Sequence, residues 1–291
     1  MIECIPNFSE GRDAGVVRAI VDAIARAPGI LVLGWESDSD HNRSVVTFAG
    51  AGEAVMEAAV RGVGKAAELI DLSAHEGVHP RTGAADVVPF APLEGSTLAE
   101  CVTAARWAGE QIWERFGVPV YFYEAAALTP GRQRLEKIRR KEFDGLPSDV
   151  GATAAHPTAG ASIVGAREFL IAYNVLLDTP DVTLAAAIAR KIRESSGGFR
   201  HVKSIGLYLE SRARAQVSMN LTNFADTPLN QVYECIETEA ARLGTRVADG
   251  ELIGFIPSRA FQMWPDFFQR ASNFDSSRII ERRIDRLLHS T

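Results

Sequence analysis

Between residues 169 and 256 the apolar pattern changes period in an order that few chain topologies can accommodate. Residues 169–177 form a short apolar run, 182–194 repeat apolar side chains at helical spacing, and 202–209 and 215–221 return to strand-like runs. A second helical stretch at 229–243 and an apolar run at 252–256 complete the order β-α-β-β-α-β. That is the ferredoxin-like order, in which two helices bury their apolar stripes against one face of an antiparallel sheet.

The first half shows the same core order with an extra helix and strand. Residues 2–6 read as a strand, and 13–26 as a helix carrying Val16, Val17, Ile20, Val21 and Ile24 on one face, stopped by Pro28-Gly29. Strands at 30–34 and 44–49 flank an acidic turn at 36–42, read as a hairpin. A helix at 53–70 follows, then strands near 87–90 and 119–123 with a helix at 98–116 between them. Residues 143–165 carry the Pro and Gly of a connector, so the expected boundary falls near 168: one α/β subdomain at 1–168, a second at 169–291. The expected fold class is mixed α/β (α+β), two ferredoxin-like subdomains, each with a mainly antiparallel or mixed sheet covered by helices.

Composition narrows the function classes. The net charge of −6, without a stripe of Lys and Arg among aromatics, argues against a nucleic-acid partner. The long uncharged stretch between Asp149 and Arg167 is Ala-, Gly- and Thr-rich, and reads as a polar flexible loop and not as a membrane span. The first nine residues lack the basic-then-apolar pattern of a secretory signal, so the expected location is the cytoplasm. Cys4, Cys101 and Cys235 are far apart with apolar neighbours, which suits structural thiols better than disulfides or a metal knuckle.

His75-Glu76-Gly77-Val78-His79 matches the zincin letters H-E-x-x-H. The zinc chemistry needs both imidazoles on one helical face. Gly77 lies between them and Pro80 disfavours helical backbone at His79, so no metal is expected here. The segment reads better as an irregular active-site loop running on through Arg81, Thr82 and Gly83 to Asp86, with a hydrogen-bonded surface loop as the alternative. A proline-fixed imidazole that titrates near neutrality suits proton transfer. Ser9 or Asp13 caps the helix that follows, and Asn7 remains open for substrate contact. Asn42 and Arg43 close the acidic turn. The stretch from Gly151 to Gly165 offers backbone donors and little bulk, suited either to a flat ring or to a plain linker. Gly62-Val63-Gly64-Lys65 lacks the full phosphate-loop spacing and sits in a helical pattern.

Six collinear segments together resemble the glutamate formiminotransferase family: Glu3 to Gly11, Asn42 to Phe48, Gly77 to Ala84, Val118 to Tyr123, Gly165 to Asn174 and Ala215 to Leu221. In animals the likeness is to the N-terminal part of the bifunctional formimidoyltransferase-cyclodeaminase. It runs from residue 2 to about 257, leaving the tail beyond Pro257 outside. The resemblance implies transfer of a formimidoyl group from N-formimidoyl-L-glutamate to tetrahydrofolate in histidine breakdown, two subdomains with the substrates between them, and a homodimer. It places the catalytic histidine on His79, and the folate-binding stretch on Gly151, Ala152, Thr153, Ala154, Ala155, His156, Pro157, Thr158, Ala159 and Gly160. An aromatic residue of some members is Ala159 here, and the acidic-turn carboxylate matches Glu36 by position only.

The chemistry asks for one group that takes a proton from the attacking nitrogen and returns it to the leaving one, a task for a single imidazole. Both substrates carry carboxylates, so Arg43, Arg81 and Arg167 are the cations expected at the site, with Asn7, Glu36 and Asn42 as further contacts. Two other functions remain open on the sequence: formyl transfer between 5-formyltetrahydrofolate and glutamate on the same scaffold, and a folate-binding module without catalysis.

Overall fold

The computed structural model describes residues 1–76, 81–139 and 146–289, and these form two compact units, 1–168 and 169–291. In the first, β1 (Ile2–Cys4) and β2 (Asn7–Phe8) lie in line between the same two neighbours. Pro6, without an N–H, interrupts what would otherwise be one strand. Helix α1 (Ala14–Ala25), strands β3 (Leu31–Asp38) and β4 (Arg43–Gly50), helix α2 (Gly52–Leu69) and strand β5 (Ala85–Pro92) follow, and then α3 (Leu98–Phe116), β6 (Val120–Glu124), the single turn α4 (Leu135–Ile138) and β7 (Ser162–Ala166).

The spatial order β3-β4-β1/β2-β5 is antiparallel throughout and is the ferredoxin-like arrangement. Beyond β5 the sheet continues with β7 and then β6, both parallel, which makes it mixed. Helices α1, α2 and α3 cover one face, where Phe8, Ile20, Ile24, Phe48, Phe90 and Ile112 are fully buried. Asp13, not Ser9, caps α1, accepting from the N–H groups of Gly15 and Val16; the Ser9 hydroxyl donates instead to the Gly83 carbonyl at 2.8 Å. Thr97 and Glu100 form a reciprocal capping box at the start of α3. A second, smaller apolar cluster of Val87, Tyr121, Tyr123, Ile138 and Ile163 lies on the sheet's other face.

In the second unit β8 (Ile171–Leu177), α5 (Val182–Ile192), β9 (Val202–Leu209), β10 (Arg214–Leu221), α6 (Leu229–Arg242) and β11 (Val247–Ile253) build an antiparallel sheet of order β11-β8-β10-β9. This is the same core topology as in the first unit, and both ferredoxin-like readings hold. The tail, α7 (Ser258–Met263), α8 (Pro265–Gln269) and α9 (Ile280–His289), belongs to the fold of this unit. Phe267 and Phe268 are fully buried, with the Phe267 ring 4.4 Å from that of Tyr173.

Two expectations need correction. The hairpin turn is shorter than residues 36–42: β3 runs on to Asp38, so Glu36 is a strand residue paired with Val45. The uncharged stretch is not all flexible loop, because Ser162–Ala166 is a completely buried strand flanked on both sides by parallel neighbours. Cys4 and Cys101 are buried and Cys235 partly so. Burial pushes all three thiols up, Cys101 to about 12, as inert structural thiols require.

Candidate functional site

Side chains of directly paired residues point to the same side of a sheet, so register alone places several candidates together. Glu36 pairs with Val45, Val45 with Asn7, and Asn7 with Val87. These four form a row on the face away from α1–α3, and Arg43, two residues along β4, shares that face. Its guanidinium Nη2 donates to the Asn7 Oδ1 at 2.6 Å, while the Asn7 amide nitrogen donates to the Ile5 carbonyl at 2.9 Å. Burial pushes the Arg43 guanidinium down to about 10, with the Asp86 carboxylate opposing the shift and the Arg139 cation reinforcing it.

Asp86 reaches this cluster through a bulge. Asn7 faces Val87 but Phe8 faces Ala85, so one step on β2 spans two on β5 and Asp86 is the extra residue. Its carboxylate is almost wholly buried: Oδ1 accepts the Thr82 N–H at 2.7 Å and Oδ2 pairs with Arg139 Nη2. Tyr123 stands beside them. Burial raises its phenol to about 12, with the nearby Arg167 guanidinium opposing the shift, so the phenol is neutral at ordinary pH.

Asn42 ties the turn after β3 to the His75 loop. In left-handed backbone (φ 46°), it accepts the Gly11 N–H at 3.0 Å and donates its amide to the Glu76 carbonyl at 2.9 Å. His75 Nε2 lies 3.1 Å from the Asn42 carbonyl. A carbonyl only accepts, so this contact assigns the proton to Nε2 and leaves Nδ1 as an acceptor; that atom is buried and has no partner among the described residues. His75 itself is extended (φ −87°, ψ 131°), not helical as the zinc motif demands. His79, the expected catalyst, lies outside the described residues.

The Gly151–Gly160 stretch meets the same loop through backbone. Thr82 O accepts the Ala161 N–H at 3.1 Å, Ala159 O accepts that of Ala84 at 2.9 Å, and Thr158 O accepts that of Leu72 at 2.8 Å. The approach is too close for any side chain at the crossing. A Cβ on Gly83 would lie 1.9 Å from the Ala161 carbonyl oxygen, and one on Gly160 (φ 67°) 2.3 Å from that of Thr82. His156 fixes the turn, its Nδ1 accepting from the N–H groups of Ala159 (3.0 Å) and Thr158 (3.3 Å). Residues 151–155 and Pro157 are exposed, whereas Ala159 is buried in the core under α2.

Of the expected cations, Arg43 thus lies in the polar cluster and Arg167 lies near Tyr123. Arg81 is partly buried, its guanidinium depressed first by burial and further by Arg12, with Asp86 opposing. Sequence reading passed over Arg139 and the part played by Asp86. The only local signal was Arg139 following the apolar pair Leu135 and Ile138, which anchors the segment on the sheet. Among the described residues no cluster of three His, Cys, Asp or Glu side chains is arranged to hold a metal ion, and no helix is long and apolar enough to cross a membrane.

Residues 1–167 match the family described as "Formiminotransferase domain, N-terminal subdomain", and residues 172–288 match "Formiminotransferase domain". The chain belongs to the formiminotransferase family. It is 42% identical to a glutamate formimidoyltransferase of Thermoplasma acidophilum, covering 98% of each chain, and 42% identical to one of Streptococcus pyogenes, covering 94% of this chain and 95% of the other. It is also 41% identical to the mouse formimidoyltransferase-cyclodeaminase, of which it spans 51%. The formiminotransferase likeness therefore does not stop near Pro257. It continues to residue 288, consistent with a tail that closes the second unit's own core.

Proposed function

We propose that the protein is a glutamate formimidoyltransferase, transferring the formimidoyl group of N-formimidoyl-L-glutamate to tetrahydrofolate to give 5-formimidoyltetrahydrofolate and L-glutamate. The observation that carries this reading is identity of 42% to two glutamate formimidoyltransferases over nearly the full length of both chains. N5 of tetrahydrofolate bonds to the amidine carbon, and the tetrahedral adduct then collapses with cleavage of the bond to the glutamate nitrogen. His79 takes the proton from N5 and delivers it to that nitrogen, a contribution of about 10²- to 10⁴-fold in rate. No metal takes part. Arg43, Arg81 and Arg167 hold substrate carboxylates, with Asn7, Glu36 and Asn42 ordering the donor, and the Gly151–Gly160 stretch receives the folate. The enzyme works in the cytoplasm as a homodimer.

The test is turnover of N-formimidoyl-L-glutamate with tetrahydrofolate by the purified protein, followed by its His79→Ala and His75→Ala variants. His79→Ala should lower kcat by about 10²-fold or more with KM largely kept. His75→Ala, which removes one contact to Asn42, should cost far less. Reversed severity, or a His79→Ala effect confined to KM, would demote His79 to a binding residue.

A further inference from the structure

The polar cluster contains an arginine that neither the sequence motifs nor the family likeness assigned. Arg139 directly follows α4, whose Ile138 is fully buried against the sheet face that also carries Tyr121 and Tyr123. Its side chain is 14% exposed, so the guanidinium is held among neighbours and not solvated. Nη2 pairs with the Asp86 Oδ2. Nε is buried and has no acceptor among the described residues.

A buried guanidinium N–H without an acceptor is costly, and native interiors seldom leave one unmet. The nearest carboxylate does not meet it, because both Asp86 oxygens are engaged, one by the Thr82 N–H and one by Arg139 Nη2. Glu3, on the same face, lies at the level of Ala49, four positions along β4 from Val45 and so roughly 13 Å away along the strand. The Arg43 guanidinium lies within electrostatic reach of Arg139. Two cations beside one fully used carboxylate are arranged to receive a further anion. The unmet donor is an N–H of a planar guanidinium, and a carboxylate is the anion whose geometry matches such a donor.

We infer that Arg139 is a substrate-binding residue whose guanidinium, oriented by Asp86, receives a substrate carboxylate beside Arg43. The inference rests on the transferase reading for the identity of the substrate, since both N-formimidoylglutamate and the folate tail present carboxylates. In this arrangement Asp86 is the positioning residue: it holds the guanidinium with one oxygen and the Thr82 amide, three residues after His79 in the sequence, with the other.

The test compares Arg139→Gln and Arg139→Lys in the full chain, reading kcat, the separate KM values for N-formimidoyl-L-glutamate and tetrahydrofolate, thermal stability, and calorimetric binding of glutarate, a dicarboxylate probe without an amine. Arg139→Gln should raise the KM for one carboxylate substrate about 10- to 100-fold, the size of a lost charge-assisted hydrogen bond, with kcat changed about threefold or less. The substrate whose KM moves identifies which carboxylate is held. Arg139→Lys keeps a cation beside Asp86 and so the stability, but offers no planar fork, and should recover only part of the affinity. Both KM values and glutarate affinity unchanged within about twofold in a stably folded Arg139→Lys and Arg139→Gln pair would overturn the assignment. So would a loss confined to kcat. Absence of turnover in the wild type would sink the transferase reading, while glutarate binding to the wild type and its loss in Arg139→Gln would still decide for Arg139.

Discussion

Replacing Gly83 by alanine tests whether the crossing of two loops sets the geometry of the reaction. The new Cβ would sit 1.9 Å from the Ala161 carbonyl oxygen and 2.8 Å from its carbon, both backbone atoms that no rotamer change can move aside. Since Cβ contacts under 3.0 Å are essentially never seen, the two chain segments must part by at least about 1.1 Å. That displacement breaks or stretches the bonds that lock them, from Ala161 N–H to Thr82 O and from Ala84 N–H to Ala159 O. At about 1 kcal/mol for each bond, plus buried groups left unmet, Gly83→Ala should cost about 2–4 kcal/mol and lower the Tm by roughly 5–15 °C. His79 precedes Gly83 by four residues in the sequence. A shift of about 1 Å in a catalytic group costs on the order of 10²-fold in rate, so kcat should fall by that factor. Gly95→Ala is the control: its φ of 81° makes alanine cost about 1–2 kcal/mol, but nothing lies within 4 Å, so activity should stay near wild type. Differential scanning calorimetry and steady-state kinetics on the two variants suffice. If Gly83→Ala keeps kcat within about threefold while folded, the crossing does not position the catalyst and the reasoning is refuted.

Phe267→Ala should destabilise the second unit by about 3–5 kcal/mol, read as a lower calorimetric transition, because the ring is fully buried against Tyr173; a wild-type Tm would show that the tail is an accessory. The pH dependence follows from Arg43. Its guanidinium is lowered to about 10, so the cation is present below that pH and lost above it, and glutarate affinity should hold up to about pH 10 and weaken as the pH passes it. Arg43→Gln should bind weakly at every pH and show no such inflection; an inflection that survives in the variant would assign it to another group.

Much of the framework was legible because its signals are local. Residues 98–116 were readable to both ends, since Thr97 and Glu100 form a capping box and Gly117 supplies left-handed backbone at the stop. The β-α-β-β-α-β orders of both halves follow from periodicity in the same way. Strand β7 was not legible. Ser162–Ala166 is short and small-residued, and a strand covered on both faces shows no alternation by which to know it.

The sequence by itself determined the order of elements, the caps and turns that bound them, and the motif residues Asn7, Asn42, Arg43 and the run from His75 to Asp86. Tertiary structure alone decided which of these meet. The bulge that turns Asp86 out of β5 exists only once β2 has paired with it, and Arg139 comes to Asp86 across 53 residues because α4 packs on the sheet. Periodicity and capping act within a few residues of chain, whereas this polar cluster is assembled by register and burial between strands distant in sequence, and no local pattern encodes that distance.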